Sequence, residues 1–191
     1  MNRSLLASVA FVSLVSVASA DGWYSSVYGG WNQDDVISAK GVDNQDGYVI
    51  GGTVGKSVPA VPGLRIEGDL SFRQNEVEVF KFVSADHDTT ALLVNAVYDL
   101  PVQILNGKPY VLAGVGIART EATFEDVALL KLENSGVAYQ LGTGMNWTVA
   151  EGIQAGLGYR YFQGPDLNVL GTELSDGSNH SVLAQVTFSL N

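Results

Sequence analysis

The chain has 191 residues, 22 glycines, no cysteine and a formal net charge of −10. That length suits a single domain, and the lack of cysteine excludes a disulfide scaffold and lipid attachment through an N-terminal cysteine. Twenty acidic against ten basic residues argue against nucleic acid as a partner, because phosphate binding needs clustered Lys and Arg.

The first twenty residues read as a secretory signal. Arg3 is a short positive segment, residues 5–17 form an apolar core interrupted by serines, and Ala18-Ser19-Ala20 is a small-residue cleavage site before Asp21. This apolar run falls short of the roughly twenty residues a spanning helix needs. The expected organisation is a signal peptide over residues 1–20, cleaved after Ala20, and one domain over residues 21–191. The exported chain enters an oxidising compartment without a disulfide, so its stability must come from elsewhere. A closed barrel in a membrane, with every backbone group paired, supplies it.

Beyond residue 21, period-2 alternation replaces any helical period. Residues 23–31 and 48–56 alternate weakly. Residues 64–73 alternate strictly: Leu64, Ile66, Gly68, Leu70 and Phe72 on one face, Arg65, Glu67, Asp69, Ser71 and Arg73 on the other. Residues 90–100 and 110–118 are weaker cases. Val137, Tyr139, Leu141, Met145 and Trp147 oppose Gly136, Ala138, Gln140, Gly142, Gly144 and Asn146. Ile153, Ala155, Leu157, Tyr159 and Tyr161 oppose Gln154, Gly156, Gly158 and Arg160. Val182, Ala184, Val186, Phe188 and Leu190 oppose Ser181, Gln185, Thr187 and Ser189. Eight segments of roughly ten residues match the length of tilted transmembrane strands. The connections 33–46, 74–88, 119–131 and 164–179 are long and polar, and 57–63, 101–109 and 148–151 are short. Long loops at one end and tight turns at the other predict an all-β, eight-stranded, antiparallel, up-and-down transmembrane β-barrel in the outer membrane of a Gram-negative bacterium.

A soluble lipocalin-like ligand carrier has the same strand count with the faces inverted. Three features oppose it. The strands carry few Lys. Aromatics (Trp23, Trp31, Tyr48, Phe72, Tyr98, Trp147, Tyr161, Phe188) sit near strand ends, as membrane girdles do. Glycines gather on the polar face, where a narrow interior is crowded. With charges inward, Arg65, Arg73 and Arg160 face Glu67, Asp69 and Asp99, and Asn95, Gln140, Gln154 and Gln185 add hydrogen-bonding capacity. These groups are expected to form one paired interior network that fills the lumen. The competing reading is a narrow pore.

The segments Pro109-Tyr110-Val111-Leu112-Ala113-Gly114-Val115-Gly116, Val137-Ala138-Tyr139-Gln140-Leu141-Gly142-Thr143-Gly144 and Asn179-His180-Ser181-Val182-Leu183 resemble the fifth, sixth and eighth strands of opacity-type outer-membrane proteins, small relatives of the OmpA barrel. The resemblance covers the whole exported chain. It implies a surface antigen, an adhesin, a heme-associated protein or a general envelope protein. One departure is the C-terminus, Asn191, where many such barrels end in an aromatic residue read by the assembly machinery.

Chemical motifs are few. Gly51-Gly52-Thr53-Val54-Gly55-Lys56-Ser57 resembles a phosphate-binding loop but is one residue short and runs into Val58-Pro59, not a helix. His87 between Asp86 and Asp88 reads as a solvated acidic loop in preference to a metal site. His180-Ser181 invites comparison with lipid A acyl hydrolases, yet adjacent strand residues point to opposite faces. Ser178 shares the His180 parity. No catalytic residue, cofactor or metal is expected. The expected partners are outer-membrane lipid and lipopolysaccharide, the assembly machinery, and a host or environmental ligand at the acidic loops: Asp34, Asp35, Asp43 and Asp46; Glu76, Glu78, Asp86 and Asp88; Glu121, Glu125 and Asp126; Asp166, Glu173 and Asp176.

Overall fold

Strands with one apolar and one polar face bury both only by closing on themselves, apolar side to lipid and polar side to a lumen. The computed structural model describes residues 22–34, 42–43, 46–79, 83–124, 131–165, 167–169, 172–175 and 177–190. The signal segment 1–20 and the acidic residues Asp35, Glu125, Asp126, Asp166 and Asp176 lie outside the described residues. Eight strands make the wall: β1 Trp23–Asp34, β2 Asp46–Ser57, β3 Leu64–Val79, β4 Val83–Asp99, β5 Lys108–Phe124, β6 Lys131–Ala150, β7 Ile153–Gln163 and β8 Ser178–Ser189. Each pairs antiparallel with the next, and β8 pairs with β1 from Tyr24 opposite Ser189 to Asp34 opposite Asn179. The barrel is therefore closed and up-and-down. Val42–Asp43 adds a short pairing to β3, and Leu167–Val169 pairs with Thr172–Ser175.

Four strands are longer than the alternation predicts. β3, β4, β5 and β6 run to 16, 17, 17 and 20 residues, where about 9–11 suffice to span. Much of the expected loops 74–88 and 119–131 is paired strand: Gln74 lies opposite Asp88, and Asp88 opposite Glu121. The polar, acidic composition that suggested loops marks where lipid ends. Pairing continues because water solvates the outward charges while the backbone ladder persists.

The exterior is apolar: Val94, Val115 and Val137 are 60%, 58% and 73% exposed. A soluble carrier needs the reverse, so the lipocalin-like alternative fails. Two aromatic girdles flank this band. Trp31, Tyr48, Phe72 and Tyr161 lie toward the loop end, and Trp23, Tyr98, Trp147 and Phe188 toward the short-turn end. The interior is less polar than its charges suggest. Ala91, Leu93, Ala118, Ala138 and Phe162 pack together inside, as do Val97, Tyr110 and Leu112. β4 thus carries apolar residues on both faces, which explains its weak alternation. An eight-stranded lumen is narrow enough for side chains to fill it, so apolar groups are stable there.

Candidate functional site

Successive inward positions on one strand stand roughly 7 Å apart, so Arg65 and Arg73 are separated by about 26 Å along β3. They cannot share one cluster, and the expected single network is instead a stack of layers. At the short-turn end, the Arg65 guanidinium grips Asp99 with two bonds, Nε to Oδ2 at 3.0 Å and Nη2 to Oδ1 at 2.8 Å. It also reaches Glu67 Oε1 at 3.1 Å and the Tyr24 hydroxyl at 3.0 Å. Tyr24 in turn donates to Glu67 at 2.7 Å. Because Asp99 holds Arg65 bidentately, loss of Glu67 does not leave this cation unpaired.

The middle layer is built on Asp69, which is fully buried. Its Oδ1 accepts from the Tyr28 hydroxyl at 2.6 Å. Its Oδ2 accepts from Arg160 Nη1 at 2.8 Å, Asn95 Nδ2 at 3.1 Å and Gln140 Nε2 at 3.2 Å. Arg160 also lies over the Tyr28 ring at 4.3 Å. Above it, Arg73 is 1% exposed, donates to Ser71 Oγ at 2.7 Å and stacks on Phe162 at 3.8 Å. It makes no salt bridge among the described residues. The count of three cations against three anions is correct, but Arg65 takes two carboxylates and Arg73 takes none. Arg73→Met is therefore expected to leave stability unchanged within about 1 kcal/mol or to raise it, since an apolar chain of similar volume replaces a desolvated cation. Urea titration of the barrel in detergent, followed by gel mobility, measures this; a loss above about 3 kcal/mol would show that Arg73 holds the layer together.

At the loop end, three asparagines close the lumen. Asn32 Nδ2 donates to Asn75 Oδ1 at 2.9 Å and Asn179 Oδ1 at 2.6 Å, and Asn75 Nδ2 donates to Asn179 Oδ1 at 2.9 Å. Ser181 Oγ donates to Asn32 Oδ1 at 2.5 Å. Further along β8 toward the short-turn end, Gln185 donates to Asn146 at 2.8 Å. Gln154 lies on the inward face of β7 near the short-turn rim, opposite Thr187, and outside these clusters.

A recurring device positions these groups. Two side chains on strands n and n+2 meet across a glycine on strand n+1. Tyr24 reaches Glu67 over Gly55, and Asn32 reaches Asn75 over Gly47. Gln140 reaches Asn95 over Gly114, and Gln185 reaches Asn146 over Gly156. A Cβ on any of these glycines would collide with one of the bridging side chains. Sequence reasoning missed the inward Tyr24, Tyr28, Asn32, Tyr110 and Phe162; the aromatics it placed lie on the apolar strand faces and in the girdles. The available signal was spacing: Tyr24, Tyr28 and Asn32 recur every four residues, as do their partners Gly55, Gly51 and Gly47.

Of the enzymatic candidates, His180 faces outward, where its Nδ1 shares a hydrogen bond with the Tyr159 hydroxyl and its ring packs on Tyr161 at 5.2 Å. Ser181 points into the lumen and is 1% exposed. Ser178 is buried at the loop-end rim opposite Gln163. The segment likened to a phosphate loop lies inside β2, with Gly51 and Gly55 under the Tyr28 and Tyr24 rings.

A family model described as outer membrane protein beta-barrel domain matches residues 4–188. Among solved structures the chain is similar to Neisserial surface protein A (NspA), with a TM-score of 0.65 at 20% identity, covering 87% of this chain and 96% of that one. It is also similar to Ail, the attachment invasion locus protein of Yersinia pestis, solved with the heparin analogue sucrose octasulfate. There the TM-score is 0.50 at 13% identity, covering 87% of this chain and 98% of that one. At these identities the likeness concerns the fold. No curated protein matches the sequence.

Proposed function

Since the chain belongs to the outer membrane protein β-barrel family, a family of the Gram-negative outer membrane, we propose that it is a non-enzymatic barrel whose work is envelope structure and surface interaction through its acidic loop end. Residues 1–20 direct export and are removed after Ala20, leaving residues 21–191 as the barrel. N-terminal sequencing of the envelope protein then starts at Asp21; a retained Met1 rules this out. The observation that carries the functional reading is the filled lumen. Asp69, Asn95, Gln140 and Phe162 are fully buried, and this supports a structural interior that leaves recognition to the loops. One further point supports a non-enzymatic role. A serine nucleophile needs its base within hydrogen-bond reach, whereas His180 and Ser181 stand on opposite sides of the wall. The partners in this reading are lipopolysaccharide and a host or environmental ligand at the loops, after insertion by the assembly machinery.

The test replaces each long loop in turn with a short Gly-Ser linker. Host-cell, heme and serum-factor binding are assayed beside envelope integrity and the mass spectrum of lipid A. Loss of one binding activity with one loop is expected. If every replacement leaves all binding intact, the surface-interaction role falls. Loss of one lipid A acyl chain that depends on both His180 and Ser178 would replace the reading with a hydrolase.

A further inference from the structure

The connection between β4 and β5 is built unlike an ordinary exposed turn. Its tip is a two-residue reversal in which Leu105 and Asn106 both take positive φ, 49° and 60°. Such turns normally use Asn and Gly, because a branched or bulky side chain is strained there. Leu105 nevertheless occupies the first position and is 84% exposed, beside Ile104 at 50%. A strained backbone that holds a leucine outward calls for something to receive it.

The surroundings say what that is. The Trp147 indole N–H donates to the Leu105 carbonyl at 3.1 Å. A Cβ on Gly107 would fall 2.6 Å from Met145 and 2.8 Å from the Trp147 indole nitrogen. The turn therefore lies flush against Met145 and Trp147, both on the outward, lipid-facing side of β6. Trp147 belongs to the girdle at the short-turn end, with Trp23, whose ring lies 5.4 Å under the Lys56 ammonium. Residues 101–107, Pro-Val-Gln-Ile-Leu-Asn-Gly, carry no charge. Much of the main chain is satisfied within the turn: Ile104 and Gly107 exchange two hydrogen bonds at 3.0 and 2.8 Å, and Leu100 N–H reaches Pro109 O at 2.9 Å. Paired backbone and apolar, uncharged side chains are what a segment needs to leave water.

We propose that residues 101–107 form a lipid anchor, with Ile104 and Leu105 inserted among the acyl chains of the glycerophospholipids in the periplasmic leaflet. The turn broadens the lipid-facing wall at the level of its aromatic girdle and fixes the depth of the barrel on the β4–β6 side. The neighbouring β6–β7 turn at Glu151 and Gly152 carries a charge and is exposed. The inference rests on membrane placement of the wall, not on any loop ligand.

The absence of cysteine allows single spin labels without background. Cysteine is placed at Leu105, Asn106, Val94 and Glu151, one per variant, and each variant is checked for heat-dependent gel mobility. In vesicles of phosphatidylethanolamine and phosphatidylglycerol, accessibility to oxygen is compared with that to a water-soluble nickel chelate. Labels at 94 and 105 are expected to collide more with oxygen, the label at 151 more with nickel, and the label at 106 between them. A label at 105 as accessible to nickel as that at 151, with 94 still in lipid, overturns the anchor and leaves the tip in water for a soluble partner. A label at 94 accessible to nickel would overturn the membrane placement itself.

Discussion

Asp69→Asn is expected to cost the barrel about 3–5 kcal/mol, the range for a buried ion pair stripped of one partner. The substitution keeps the volume and removes the charge. Asp69 is fully buried and is the carboxylate that contacts Arg160, and four donors converge on its two oxygens. Without it, Arg160 and Arg73 are two desolvated cations in one narrow lumen with no anion in contact among the described residues. Water does not relieve them cheaply, because both guanidinium groups are almost fully buried and packed on the Phe162 and Tyr28 rings. Urea titration followed by the gel shift between folded and unfolded forms gives the free energy. The double variant Asp69→Asn with Arg160→Met should recover much of the loss, since the two changes remove both halves of one pair. A single-variant loss below about 1 kcal/mol, the scale of an exposed pair, would mean that the layer is hydrated and the pair screened.

Gly30→Ala is the second large effect. Gly30 lies on the inward face of β1, opposite Leu183 of β8. An added Cβ there meets the Val182 carbonyl oxygen and the Leu183 Cα, both backbone. Side chains can rotate away from such contact, but a strand cannot without giving up ladder bonds at the β1–β8 closure. Overpacking of this kind costs about 1–3 kcal/mol. Gly68→Ala is the matched control. Gly68 faces lipid, and its nearest neighbour would stand 4.0 Å from the new carbon. There alanine should be neutral or stabilise by up to about 1 kcal/mol through reduced chain entropy. Equal effects at both positions would show that backbone propensity, not interior crowding, governs the glycines.

How far the sequence could be read depends on which physical quantity was being asked for. Leu64 to Arg73 revealed its two faces because a pleated strand forces alternate side chains apart, and no tertiary information is needed for that. The same rule separated His180 from Ser181. Strand ends were misplaced at 74–88 and 119–131, because acidic residues signal departure from lipid and not the end of pairing. Tyr24 and Tyr28 were missed because an aromatic residue suits a girdle and a packed lumen equally well. Hydropathy does not distinguish those places, and the four-residue match with Gly47, Gly51 and Gly55 becomes visible only once β1 is set beside β2.

By itself the sequence determined that this chain is a closed, eight-stranded, lipid-facing barrel, and it named the inward charges Arg65, Glu67, Asp69, Arg73, Asp99 and Arg160. Only the tertiary structure decided who meets whom. Partnership across the lumen depends on register summed over strands, and one step of register moves a side chain by several ångströms. That sum gives Arg65 two carboxylates, places Asp69 under four donors and leaves Arg73 against the face of Phe162.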